Sequence, residues 1–237
     1  MQQHGNIYSK FWYETFLHTI DDSQTKKEVD FIKKFLPLPK FNQILDCACG
    51  PGRHACYLVS SGYSVTGIDT DLNSISIAKK SCKEGTFLQL DMRKINELEH
   101  NYDAVIIMWQ SFGYFSTDEN RSILHQMDEI LNSYGRIILD IYNRQFYDKY
   151  QGTREFIRNN ADIKGSQILK GNRLYVELDY GSKSEKDKFE WEIFYDYEIT
   201  EIMKEHGFSL LLKCTQFDKT IAPHEDSPRM QLVFEKF

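Results

Sequence analysis

Apolar positions along the chain change period several times, and each change marks an element. Phe11, Trp12, Phe16 and Leu17 recur at helical spacing, as do Val29, Phe31, Ile32, Phe35 and Leu36. They predict two helices within residues 7–36, broken by Asp21-Asp22-Ser23, which can cap the second, and closed by Pro37 and Pro39. Short strands are expected over 43–48, 64–68 and 86–90. Helices alternate with them over 53–61 and 72–83, the second with Asp71 at its N-cap and Ile75 and Ala78 inward. Tyr102 to Met108 is a near-continuous apolar run, the pattern of a parallel strand buried on both faces. A helix over 117–131, started by Thr117 or Asp118, turns Ile123, Leu124, Met127, Ile130 and Leu131 inward, and a fifth strand follows over 136–141. Strand and helix in alternation predict an α/β, doubly wound fold.

The pattern then shifts. From 142 to 196 the chain is polar, charged and strand-like: Leu174, Val176, Leu178 and Tyr180 alternate with other residues, as do Phe189, Trp191, Ile193 and Tyr195. The run from Lys183 to Lys188 between them reads as a solvated hairpin turn, so 142–196 is expected to be an antiparallel insertion. A helix over 197–206 and two strands over 208–217 and 230–237 complete the chain, the strands joined by the loop 218–229. No internal repeat or low-complexity tract interrupts it. We therefore expect a single domain over 1–237, with residues 1–40 as a helical N-terminal segment.

Composition narrows the classes. Hydrophobic residues make up 41% of 237, enough for a sizeable core. A net charge of −6 argues against a nucleic-acid surface, which usually needs a basic face. No apolar run reaches the length of a membrane span, and the opening Met1-Gln2-Gln3-His4-Gly5 is polar, so neither a membrane nor a signal peptide is expected. Five cysteines without framework spacing fit a reducing, cytoplasmic setting. Cys47, Cys49, His54 and Cys56 lack zinc-knuckle spacing, and two of them lie on an expected buried strand, so no metal site is expected.

The chemistry concentrates where the first strand ends. Ile44-Leu45-Asp46-Cys47-Ala48-Cys49-Gly50-Pro51-Gly52 is a short apolar run entering a tight glycine turn, with Arg53 opening a helix. Glycine lets a ligand approach the backbone, and a helix N-terminus offers unpaired N–H groups. Asp69, with Thr70 after it, ends the second strand, where an acid can accept from ribose hydroxyls. The turn also fits the loose dinucleotide pattern G-x-G-x-x-G/A. Asp46 at the mouth of the turn would repel a pyrophosphate and attract the ammonium of a methionine moiety. Asp91 after the third strand can accept from an adenine amino group, and Met92 can pack on the ring. Each has a plainer alternative: Asp69 as a loop acid, Asp91 as a helix cap, and Arg53 with His54 as a structural or solvent-facing pair.

These residues resemble motif I of the class I S-adenosylmethionine (SAM)-dependent methyltransferases, D/E-x-G-x-G-x-G, here with Ala48 in the place of the first glycine. Asp69 matches the ribose-binding acid of that family and Asp91-Met92-Arg93 its adenine-side motif. Ser111-Phe112-Gly113-Tyr114-Phe115 and Ser227-Pro228-Arg229-Met230 resemble a bacterial small-molecule branch. The match is strong over roughly 40–141 and holds in pattern only elsewhere. The resemblance implies a seven-stranded Rossmann-like sheet of order 3-2-1-4-5-7-6, strand seven antiparallel. It implies SAM as cofactor, S-adenosylhomocysteine as product and an N-terminal lid bringing Tyr8 and Tyr13 to the cofactor. Cofactor contacts then fall to Tyr13, Asp46, Ala48, Gly50, Gly52, Arg53, Asp69, Thr70, Asp91, Met92 and Trp109. A small-molecule acceptor would meet Trp109, Ser111, Tyr114, Tyr142 and Arg229, with Tyr114 or His224 as candidates to take a proton. The plainer alternatives pair Arg229 with a carboxylate and leave His224 exposed. A monomer or homodimer is expected. A nicotinamide-dependent oxidoreductase and a non-catalytic SAM-binding regulator or partner subunit are the rival functions.

Overall fold

The computed structural model describes residue 6 and residues 8–98, 101–181 and 186–237, apart from the side chain of His18. The expected helix start at residue 7 and the turn residues 183–185 lie outside the described residues.

Five strand–helix units build the core. Strands β1 (Gln43–Cys47), β2 (Ser64–Asp69), β3 (Thr86–Gln89), β4 (Tyr102–Ile107) and β5 (Leu131–Tyr142) pair in parallel. Late in the chain, β10 (Phe208–Cys214) and β11 (Arg229–Lys236) join the same sheet, β11 antiparallel to both neighbours. The sheet runs β3-β2-β1-β4-β5-β11-β10, and the insertion's four strands intervene in sequence between its fifth and sixth members. In β4, Ala104 to Ile107 are fully buried, as a strand with helices on both faces requires.

Side chains alternate between two apolar layers. Ile44, Ala104 and Ile106 face the layer formed with α2 (Asp22–Phe35), α3 (Arg53–Ser60) and α4 (Leu72–Ser81). Leu45, Cys47, Val105 and Ile107 face the opposite layer, closed by α5 (Thr117–Ile130), α7 (Asp196–Glu205) and a 3₁₀ turn over Met92–Glu97. Asp21 caps α2, and Asp71 caps α4 through the amides of Asn73 and Ser74. The cap of α5 is neither Thr117 nor Asp118 but Ser116. Its hydroxyl accepts from the Glu119 amide while Glu119 reaches back to the Ser116 amide, satisfying two orphan donors at once.

The insertion is larger than an antiparallel pair. A helix α6 (Arg144–Lys149), which alternation alone does not show, leads into a four-stranded antiparallel meander of β6 (Gly152–Arg158), β7 (Ala161–Lys170), β8 (Arg173–Asp179) and β9 (Lys186–Glu192). Lys186 to Lys188, expected in a turn, therefore belong to a strand. One face of this sheet forms a third apolar cluster with Tyr8, Phe11, Trp12 and Phe16 around the short α1 (Lys10–Thr15). Ser9 caps α1 and donates from its hydroxyl to buried Asp187 at 2.8 Å, docking α1 on β9.

Candidate active site

The turn after β1 takes the shape its sequence demands. Ala48, Gly50 and Gly52 all have positive φ, 57°, 53° and 82°. A Cβ on Gly50 would meet nothing within 4 Å, so ligand-sized space adjoins its backbone. Gly52 has a different reason. A Cβ there would lie 3.0 Å from the Ala78 Cβ and 3.3 Å from the Phe87 ring, so it lets α3 close on α4. Gly52 and Asp46, both expected at the cofactor, line neither of the two cavities at this turn.

The acids at the strand ends differ in environment. Asp69 accepts from the Gly50 amide at 2.8 Å and the Asp71 amide at 2.9 Å, tying the turn to β2. Burial raises its pKa, against the pull of those amides. Asp46 is 1% exposed, and its Oδ2 has no hydrogen-bond partner among the described residues. Burial lifts its pKa to about 7, with Arg53 pulling it down and Asp69 pushing it up. Asp91 caps the 3₁₀ turn through the Arg93 amide and pairs with the Arg93 guanidinium at 2.7 Å. It takes the cap role and still lines a cavity.

Two buried acids not singled out above hold the site together. Glu28 of α2, fully buried, accepts from Arg53 Nη1 (2.6 Å), His54 Nε2 (2.8 Å), Gln24 Nε2 (2.9 Å) and Trp109 Nε1 (2.8 Å). Burial opposes its ionisation, and these donors outweigh burial and hold its pKa below the ordinary carboxylate value. Asp140 of β5 accepts from the Trp109 amide (3.0 Å) and from the side chains of Gln110 (3.2 Å) and Gln231 (2.8 Å). It fixes Trp109 and Gln110 in left-handed backbone, φ 56° and 58°, a conformation that costs free energy in residues with a Cβ. Both acids carry a sequence signal. Glu28 falls on the apolar face of its helix beside Val29 and Ile32, and Asp140 interrupts the apolar run Ile137 to Ile141.

Three expected site residues are committed elsewhere. Arg53 lines the larger cavity, but its Nη1 is spent on Glu28 and Thr25. Arg229 sits 3.5 Å from Asp140 and 3.9 Å from Glu28, packs 5.3 Å from the Trp109 ring, and lines neither large cavity. His224 is exposed on its loop, its Nδ1 accepting from the Asp226 amide, and it also lines neither. The excess of buried carboxylate draws Arg229 inward, while His224 points to water.

Two cavities adjoin the turn after β1. The smaller, about 430 Å³, is lined by Asp69, Thr70, Asp91 and Met92 at the strand ends. The larger, about 540 Å³, runs from Ala48, Gly50 and Pro51 past Trp109 and Tyr142 to the inner face of the insertion sheet. Tyr8, Tyr13, Ala48, Ser111 and Tyr114 line both. At this shared wall the Tyr8 and Tyr114 hydroxyls lie 2.5 Å apart. Burial raises both phenols' pKa values, so both keep their protons at neutral pH. Among the described residues no group of three or more His, Cys, Asp or Glu side chains is arranged to hold a metal ion. Among the described residues no helix is long and apolar enough to cross a membrane.

A mostly parallel sheet with a glycine turn after its first strand, acids at the next strand ends and adjoining cavities is the arrangement of doubly wound nucleotide-binding folds. Known proteins narrow the class. The methyltransferase-domain family model matches residues 44–135. An uncharacterized methyltransferase of Schizosaccharomyces pombe is 30% identical over 138 residues, covering 53% of this chain and 94% of that protein. A putative methyltransferase of Bacillus subtilis is 29% identical over 137 residues, 55% of this chain, and the match spans 56% of that relative. The SAM-bound structure of an amino pentose methyltransferase from Micromonospora echinaspora superposes with a TM-score of 0.72 at 16% identity, covering 99% of this chain and 100% of that one. The chain belongs to the class I SAM-dependent methyltransferases.

Proposed function

We propose that this chain transfers the methyl group of SAM to a nitrogen or oxygen of a small molecule held in the larger cavity. The carrying observation is the wall of five residues that the two cavities share, with Tyr8 and Tyr114 in contact upon it. The residues present fit the cofactor. Asp46 lies behind the turn, outside both cavities, and its orphaned buried oxygen would reach an ammonium through water or a small shift of the turn. The backbone at Gly50 is open to close approach. Asp69 and Thr70 would take the ribose, and Asp91 and Met92 the adenine side. Bound there, SAM supplies a methyl already activated by its sulfonium.

The protein's own task is then alignment and exclusion of water, since displacement needs acceptor, methyl and leaving sulfur in line. Trp109, Ser111, Tyr114 and Tyr142 wall the acceptor side, and the N-terminal segment with Tyr8 and Tyr13 covers the junction. Tyr114 is placed to orient an acceptor by hydrogen bonding as a protonated phenol. Arg229 and His224 are removed from the acceptor site. In calorimetry, SAM and S-adenosylhomocysteine should bind and NADH should not. Asp69→Ala should weaken SAM by about 1.5–3 kcal/mol, the worth of hydrogen bonds to a charged group. Wild-type affinity in Asp69→Ala would remove that assignment, and NADH binding in place of SAM would overturn the function.

A further inference from the structure

The chain carries 35 acidic against 29 basic residues, a net charge of −6. Yet among the described residues lining the larger cavity there is no aspartate or glutamate, and there are three arginines, Arg53, Arg154 and Arg158. Arg53 is neutralised by Glu28. The other two belong to the insertion, on the side of the cavity farthest in sequence from the SAM turn. They alternate with Phe156 along β6, so all three share the face turned to the cavity.

Neither of these two guanidiniums meets a carboxylate among the described residues. Arg154 donates from Nη2 to Gln167 Oε1 at 3.0 Å, a neutral cross-sheet partner that also lines the cavity. Arg158 donates from Nε and Nη2 to Thr19 Oγ1 at 3.1 and 3.0 Å and lies 5.1 Å over the Phe16 ring. Each guanidinium has five N–H donors in a planar fork, so donors remain in a geometry matched to a carboxylate. The same cavity is also lined by the aromatic side chains of Trp12, Phe156, Phe189 and Trp191. Both guanidiniums are exposed, so they act through direct charge-assisted hydrogen bonds to an anion rather than through a desolvated field. A cationic amine entering here would meet two like charges and no carboxylate among the described residues of the wall.

Resting on the methyl-transfer reading above, we propose that the acceptor is a small aromatic or apolar carboxylate. Arg154 and Arg158 bind its charged end, and its nucleophilic nitrogen or oxygen lies toward Tyr114. Only two exposed arginines supply the charge, which suits one carboxylate rather than a polyanion.

The test is calorimetric titration of S-adenosylhomocysteine-loaded protein with 4-aminobenzoate and 4-hydroxyphenylacetate, beside their amides and phenyl phosphate. The carboxylates should bind at least about tenfold more tightly than the amides, as charge-assisted hydrogen bonds require. The double variant Arg154→Gln, Arg158→Gln should lose that preference while keeping its melting temperature and its S-adenosylhomocysteine affinity. Amides that bind as well as carboxylates, a preference that survives the double variant, or binding of neither carboxylate would each overturn the proposal. Phenyl phosphate bound ahead of the carboxylates would overturn the choice of anion. Repeating the titration without S-adenosylhomocysteine separates the two readings: carboxylate preference without any cofactor binding keeps the anion site and removes methyl transfer.

Discussion

Glu28 and Asp46 are both buried carboxylates beside the same turn, and their surroundings shift their pKa values in opposite directions. Glu28 has four side-chain donors within 2.9 Å. Removing one partner of a buried ion pair strands the other, so Glu28→Ala should cost about 3–5 kcal/mol in urea unfolding. A loss below about 1 kcal/mol, the range of exposed pairs, would show that Arg53 and Trp109 find other partners. Asp46 lacks such donors, and burial raises its pKa from 3.8 to about 7. An acid raised on folding binds a proton that the unfolded chain has released, so its contribution falls as pH rises from 3.8 to about 7. An ammonium beside it reverses the preference and expels the proton. SAM binding just below pH 7 should therefore release protons, read as a binding enthalpy that changes with buffer ionisation enthalpy. Asp46→Asn should abolish that dependence, and an equal dependence in the variant would place the titrating group elsewhere.

At the scale of elements, α1 is held by its cap. Ser9 caps the helix and bonds Asp187, which also accepts from the Tyr180 hydroxyl at 2.7 Å. Asp187→Ala should speed amide exchange in Lys10–Thr15 while leaving β4 and β5 protected, because local opening is governed by local contacts. Equal exchange in both proteins would show that the aromatic contacts of Trp12 and Phe16 suffice. The parallel strands were legible because burial on both faces forces continuous apolar runs such as Ala104 to Ile107. β6 was not, because Gly152 to Arg158 is exposed or half-buried throughout and carries no apolar alternation. Asp69 and Asp91 could be placed at strand ends from spacing alone. Arg229 could be read as a cation in the right loop, but its carboxylate partners, Asp140 and Glu28, lie far off in sequence. Only the fold brings them together.

At the scale of the whole molecule, the two cavities differ in their dependence on the insertion. None of the residues lining the smaller cavity comes from 144–193, whereas nine of those lining the larger one do. The insertion also leaves and re-enters the large sheet at one point. Asn143 and Phe194 form a β-bridge, and the Arg144 amide donates to the Phe194 carbonyl at 3.1 Å. The two apolar layers of the large sheet draw no residue from 144–193, and the third cluster lies almost wholly with the insertion and α1. Replacing 144–193 by a short Gly-Ser link should therefore leave a folded seven-stranded core. Stability should fall, because Thr117 and Asn120 lose Glu192, and the Gln110 carbonyl loses the Trp191 indole donor. S-adenosylhomocysteine should still bind, more weakly, since Tyr8 and Tyr13 lose the sheet on which α1 docks. Methyl transfer should disappear with the acceptor walls. Circular dichroism, calorimetry and turnover separate the outcomes. A folded deletion variant that still methylates its acceptor would remove the insertion from the acceptor site, and one that cannot fold would show that the third cluster is part of a single cooperative core.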